Sequence, residues 1–235
     1  MTDTTIIALG GGGFSMESSP LLDDYILRAS GKARPRICFV PTASGDSDNY
    51  VLRFYRRFAA ADCVATDLQL MRRTVVDLDA FAAAQDIIYV GGGNTANMLA
   101  IWRAHGFDRA VRRAWSAGTV LAGISAGSIC WFEHGITDSF GPGLRPLPCL
   151  GFLTGSNCPH YDGEAERRPA YQGAVRDGLV AGYAADDGAA LHFRNGSLRE
   201  VVSSRPGAKG YRVESTAGVV VETALATRFL GGVAG

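Results

Sequence analysis

The residues Gly123-Ile124-Ser125-Ala126-Gly127 form a GxSxG set, preceded by the apolar run Val120-Leu121-Ala122 and followed by Ser128-Ile129-Cys130-Trp131-Phe132. Strand, sharp turn and helix in that order are the context of a nucleophile elbow. Small flanking residues let the backbone turn tightly and leave the Ser125 hydroxyl exposed at a helix N-terminus. There the free N–H groups and the dipole favour a developing oxyanion. The competing reading is a Gly-rich turn that only packs tightly; the apolar strand before it and the helical segment after it favour the nucleophile.

A serine nucleophile needs a base, and the chain has four histidines. His105 sits beside Gly106 at a helix end, where capping is its expected role. His192, in Ala190-Leu191-His192-Phe193, occupies a strand position of structural type. His134 follows the elbow helix too closely to return to it. His160, in Asn157-Cys158-Pro159-His160-Tyr161-Asp162, follows a loop that can bring it back to the sheet edge, and it is the favoured base. The acid that orients it is open among Glu133, Asp138, Asp162, Asp186 and Asp187. Asp186-Asp187-Gly188 ends a short apolar strand, a suitable place for an orienting carboxylate, but pattern alone does not separate the two, and Asp-Asp-Gly is also simply a good turn. An oxyanion hole needs two backbone donors. Ala126, after the serine, supplies one, and the loop Gly91-Gly92-Gly93-Asn94 can supply the other because glycine allows close approach to a carbonyl. Neither that loop nor Gly10-Gly11-Gly12-Gly13 fits a phosphate-binding GxxxxGK[ST] or a dinucleotide GxGxxG fingerprint.

These residues need elements to position them. Short apolar runs alternate with helical stretches, the pattern of an α/β fold with a mainly parallel sheet. The runs predict strands over Ile6 to Leu9, Ile37 to Val40, Ala65 to Leu70, Ile87 to Val90 and Val120 to Ile124. Helical spacing predicts helices over Pro20 to Ala29, Tyr50 to Ala61 and Asn94 to Ala104. Four strands then end in turns at one sheet edge: Gly10 to Gly13, Pro41 to Ser44, Gly91 to Asn94 and Ser125 to Gly127. Ligands of open α/β sheets bind outside those carboxyl ends. Gly135 to Cys158 reads as long loops. Later strands are expected over Gly182 to Ala185, Ala189 to Phe193, Arg199 to Ser203 and Tyr211 to Glu214, with Arg194-Asn195-Gly196-Ser197 as a hairpin turn.

Composition bounds the function. In 235 residues, 23 basic side chains balance 23 acidic ones, so no global field draws in nucleic acid or an anionic membrane. Ala114 to Phe132 is 19 residues without a charge, but its Gly, Ser and Thr content fits a buried strand, turn and helix better than a membrane span. The N-terminal sequence has no basic segment ahead of its short apolar run, and five cysteines without a CxxC pair suggest buried thiols, so the expected location is cytoplasmic. No linker or internal repeat divides the chain, so residues 1–235 are expected to form a single domain.

Four motifs in order, GGGNT at Gly91 to Thr95, GISAGS at Gly123 to Ser128, NCPHYD at Asn157 to Asp162 and ADDG at Ala185 to Gly188, together resemble the serine peptidase family of aspartyl dipeptidase (peptidase E) and cyanophycinase. The resemblance spans roughly residues 5 to 195. It implies a three-layer α/β sandwich related to class I glutamine amidotransferases and a metal-free, cofactor-free serine exopeptidase or dipeptidase acting on short peptides. It implies Ser125 as nucleophile, His160 as base, Asp187 as acid, and Gly93 with Ala126 as oxyanion donors. Asp187 stands where aspartyl dipeptidase has Glu, one methylene shorter in reach. A member that acts on an N-terminal aspartate needs a cation for the substrate carboxylate. Arg167 and Arg168 are the candidates, and Arg168 matches the family's placement more closely, whereas a solvated Arg pair is the plainer reading. A cyanophycinase-like or isoaspartyl peptide hydrolase, and a non-catalytic amidotransferase-like binding domain, are the alternatives. The expected partner is a small peptide substrate, with neither nucleic acid nor membrane; a homodimer is compatible with the sequence.

Overall fold

The computed structural model describes residues 2–232. Its centre is an eight-stranded sheet. Five of its strands are β1 (Thr5–Leu9), β2 (Arg36–Val40), β3 (Val64–Asp67), β4 (Ile87–Val90) and β5 (Val120–Ile124). They lie side by side in the order β1, β5, β4, β2, β3, and every neighbouring pair is parallel. The chain then extends this sheet past β1 with β10 (Ala189–Arg194), β11 (Ser197–Ser203) and β14 (Thr227–Phe229). β1 to β10 and β10 to β11 are antiparallel. The expected hairpin turn joins β10 to β11, with Asn195 at φ 52° and Gly196 at φ 77°, the double left-handed step that suits a two-residue loop.

Both faces of this sheet are buried, which explains the continuous apolar runs of β1, β4 and β5. Ile7 and Leu9 point to one face with Phe14, Tyr25, Phe54 and Phe58, whereas Ile6 and Ala8 point to the other with Met98, Trp102 and Phe107. The first face is covered by α1 (Gly13–Met16), α2 (Leu21–Ala29) and α3 (Asp48–Phe58). In α3, Tyr50, Phe54 and Phe58 are buried four residues apart, as one helical stripe requires. The second face carries α4 (Leu78–Ala83), α5 (Thr95–His105) and α6 (Phe107–Ser116). Asn94 caps α5 by accepting the Asn97 N–H at 2.9 Å, and Gly106, at φ 75°, ends it as its sequence suggested. The uncharged 19-residue stretch resolves into the end of α6, β5, a tight turn and α7 (Ala126–Ile129). No helix among the described residues is long and apolar enough to cross a membrane.

The segment expected to be loops does not fold as such. β6 (Phe132–Thr137), β7 (Arg145–Pro148) and β8 (Leu153–Cys158) join β9 (Gly182–Ala185), β12 (Gly210–Thr216) and β13 (Val219–Ala224) in a six-stranded sheet ordered β13, β12, β9, β8, β6, β7. Gly135, Gly155 and two prolines disguise these strands. Pro146 and Pro148 are tolerated because β7 is an edge strand, where a missing N–H costs no ladder bond. Helix α8 (Arg167–Arg176) packs Tyr171 and Val175 onto one face of this second sheet, and Phe132 and Leu153 carry its other side into the core shared with β1. β3 is shorter than its apolar run: pairing with β2 ends at Asp67, opposite Phe39, although Leu68 and Leu70 remain buried beyond it.

Candidate active site

The four strand-end turns meet at the carboxyl edge of β1, β2, β4 and β5. Ser125, between β5 and α7, takes φ 56° and ψ −114°, a left-handed conformation that a non-glycine residue adopts only when its surroundings hold it there. Its carbonyl caps α7 by accepting the N–H groups of Ser128 and Ile129, both at 2.9 Å. The small flanks are needed for this turn. A Cβ on Gly123 would lie 2.1 Å from the Gly127 carbonyl oxygen, and one on Gly127 would lie 2.3 Å from that of Val90.

His160 follows β8 and is also held at positive φ, 54°. Its N–H donates to the Gly10 carbonyl at 3.1 Å, while the Ser125 N–H donates to the Leu9 carbonyl at 3.4 Å. Serine and histidine therefore hang from consecutive carbonyls at the end of β1. The His160 Nδ1–H donates to Asp187 Oδ1 at 2.6 Å, which leaves Nε2 with the lone pair. No hydrogen bond joins Ser125 Oγ to the ring among the described residues.

Asp187 is held as closely as the histidine it orients. Its N–H donates to Asp162 Oδ1 at 2.8 Å, Arg205 donates to its carbonyl at 2.9 Å, and Arg205 is ion-paired with Asp162. The three groups close a ring around the turn. Asp186, one residue earlier, faces the other way: it is buried, and Oδ2 accepts the Lys209 N–H at 2.9 Å and the Tyr211 hydroxyl at 3.2 Å. Burial pushes its carboxyl above the ordinary range, against these hydrogen bonds. Of the two candidate acids, only Asp187 meets the histidine.

Glycine at the end of β1 makes room for this pair. A Cβ on Gly11 would lie 1.9 Å from Asp187 Oδ1 and 3.0 Å from His160 Nδ1, so this glycine accommodates the imidazole–carboxylate contact. In the second glycine loop, Gly92 packs against the serine, where its Cβ would lie 3.2 Å from that of Ser125, and its N–H donates to the Tyr50 hydroxyl at 3.2 Å. Gly93, at φ 136°, backs onto the Ala43 carbonyl oxygen, which a Cβ would approach to 2.1 Å. The N–H groups of Gly93 and Ala126 have no acceptor among the described residues, so both donors are available.

The arginines near the site are already engaged. Arg167 is buried and donates to Glu164 at 2.7 Å and to the Ile136 carbonyl at 3.0 Å. Arg168 is ion-paired with Glu222 and stacks over the rings of Tyr161 and Tyr211, 5.1 and 5.0 Å from their centroids. Arg168 therefore stacks on Tyr161, the residue after His160 in the chain, with its charge matched by a carboxylate. Of the other histidines, His192 contacts the Tyr25 hydroxyl in the fold interior, and His134 lies in β6 with Nδ1 buried. Among the described residues no three His, Cys, Asp or Glu side chains gather as metal ligands. Sequence reasoning missed Asn157, Asp162 as a lock and Arg205. Asn157 lies within the NCPHYD motif and accepts the Ser128 hydroxyl at 3.0 Å, tying the elbow helix to the histidine loop. Arg205, 43 residues from Asp162, left no local signal.

A strained serine at a strand-to-helix turn, a histidine–aspartate pair on the same sheet edge and two free N–H groups are the parts of a serine hydrolase on an α/β fold. The chain belongs to peptidase family S51, whose family model matches residues 6–201. It is similar to the uncharacterized peptidase YgaJ of Bacillus subtilis (strain 168), 57% identical over 228 residues that cover 96% of this chain and 99% of that protein. Among solved structures, a peptidase from an acI-B1 actinobacterium superposes with a TM-score of 0.75, at 16% identity over 95% of this chain and 94% of that one. A putative peptidase E protein from Listeria monocytogenes EGD-e superposes with a TM-score of 0.63, also at 16% identity, over 96% and 100% of the two chains. At that identity the likeness is one of fold.

Proposed function

We propose that the chain is a cytoplasmic serine exopeptidase for short peptides, working through Ser125, His160 and Asp187. The observation that carries this reading is the 2.6 Å contact of His160 Nδ1 with Asp187 Oδ1, beside a serine held in the elbow conformation. Asp187 fixes the tautomer in which Nε2 accepts the Ser125 proton as the hydroxyl attacks the scissile carbonyl. Gly93 and Ala126 N–H groups receive the oxyanion. The same imidazole then protonates the leaving amine, and water resolves the acyl-enzyme by the reverse sequence. The serine–histidine bond forms as substrate fills the site, since catalytic hydrogen bonds are often long without it. We read the helices on the two faces of the main sheet as the outer layers of an amidotransferase-like three-layer sandwich.

An N-terminal aspartate would be selected by Arg168 exchanging Glu222 for the substrate carboxylate. That exchange has to displace an existing ion pair, so the reading gives only a modest preference. A panel of Xaa-Leu dipeptides, isoaspartyl dipeptides and model esters, with and without a serine-directed inhibitor, tests the proposal. Dipeptide turnover that the inhibitor and Ser125→Ala both abolish is expected, with Arg168→Ala slowing Asp-Leu more than Ala-Leu. Turnover confined to isoaspartyl substrates would reassign the substrate class, and undiminished turnover by Ser125→Ala would sink the mechanism.

A further inference from the structure

At the opposite end of the main sheet from Ser125 lies a cavity of about 460 Å3 that plays no part in the site above. Thr5 and Val120, which open β1 and β5, line it, so the length of β1, about 17 Å of extended chain, separates it from the Leu9 and Gly10 carbonyls. Four arginines line it, Arg28, Arg194, Arg199 and Arg228, against two carboxylates, Asp3 and Glu200. Arg194 is paired with Asp3, and Arg228 with Glu200 at 2.8 Å. Arg28 and Arg199 have no carboxylate partner among the described residues. The cavity thus carries two guanidinium charges that the protein does not neutralise.

Its inner wall is a fixed polar network. The Tyr25 hydroxyl donates to Glu200 Oε1 at 2.9 Å, and with its one hydrogen so used its oxygen accepts from His192 Nδ1. Burial holds His192 below the ordinary histidine range, so the ring is neutral near pH 7 and its Nε2 carries a lone pair. That nitrogen has no hydrogen-bond partner among the described residues and is not one of the fully buried atoms, so on the cavity wall it is open to a donor from a ligand or from solvent.

We propose that this cavity binds a small phosphate-bearing anion. Two unpaired guanidinium groups suit a divalent phosphate, which they engage bidentately. A P–OH or a neighbouring hydroxyl of the ligand meets the lone pair of His192, and the cavity is larger than a bare phosphate ion requires, leaving room for an organic group. Nothing in this site depends on the peptidase reading.

Titration calorimetry of the full chain with inorganic phosphate and with ribose 5-phosphate, at ionic strength matched with chloride, tests the proposal. Saturable binding is expected, with ribose 5-phosphate the tighter by about tenfold; phosphate binding alone would assign the site to the free ion. Ser125→Ala should bind equally well. Arg28→Glu with Arg199→Glu should weaken binding at least tenfold, and Arg199→Gln provides a milder variant should the double reversal fold poorly. Failure of both probes to bind saturably, or unchanged affinity in the arginine variants, would overturn the proposal.

Discussion

His160 and Asp187 meet, and Ser125 stands at the same sheet edge, because their backbone positions are held by neighbours, Ser125 and His160 both at positive φ. Ser125 and His160 hang from the adjacent carbonyls of Leu9 and Gly10, and Asp187 is ringed by Asp162 and Arg205. The two adjacent aspartates give the sharpest test at this scale. Asp187→Asn keeps the shape but cannot favour the productive tautomer, so kcat should fall about 10^3-fold or more with the fold intact. Asp186→Asn, whose carboxylate serves Lys209 and Tyr211, should leave kcat within about threefold and act on stability instead. Equal losses of kcat would show that the assignment of the acid is wrong. The serine was legible in the sequence because an elbow is local: five residues and their flanks contain all of it. Residue pattern alone left the acid open, because Asp186 and Asp187 are chemically identical neighbours; the family resemblance pointed to Asp187, and the partners brought by β12 and the His160 loop are what distinguish the two in the fold.

Among the elements, β1 matters most to the site, since its last residue, Leu9, and the glycine that follows it hold the serine and the histidine. Gly11, just beyond it, leaves the space in which Asp187 meets His160. Gly11→Ala should therefore reduce kcat by about 10^2-fold or more, because even about 1 Å of misplacement at a reacting group carries that cost. The loss should far exceed any change in unfolding midpoint, and activity close to that of the unaltered chain would contradict the geometry. β14 was not expected and β3 stops short of its apolar run, whereas β1, β2, β4 and β5 were readable as apolar runs ending in turns of small residues. β6, β7 and β8 were not, because Gly, Pro, Ser and Asn occupy them and their pairing partners lie far along the chain. α6 did carry a signal that the predicted elements omit: Phe107, Ala110, Val111 and Ala114 are buried at helical spacing.

At the scale of the whole molecule, a neutral chain rich in arginine pairs only part of its guanidinium groups with carboxylates among the described residues, and Arg28 and Arg199 of the amino-edge cavity are among those left unpaired. One buried charge bears on global stability. Asp23 is fully buried beside Arg57 at 3.0 Å, and burial outweighs that pairing, pushing its carboxyl up to about 6. Between about pH 4 and 6 the native state then holds a proton that the unfolded chain has released. Stability falls through this window as pH rises, by at most ~1.4 kcal/mol per pH unit. Asp23→Asn should remove that slope from urea unfolding curves, and parallel pH profiles for the two proteins would contradict it. The central claim is the activated serine, and covalent labelling tests it most directly. Intact and peptide mass spectrometry after treatment with an organofluorophosphonate should show a single adduct on Ser125, absent from Ser125→Ala and greatly slowed in His160→Ala. An unlabelled chain, or an adduct that persists in Ser125→Ala, would contradict the account.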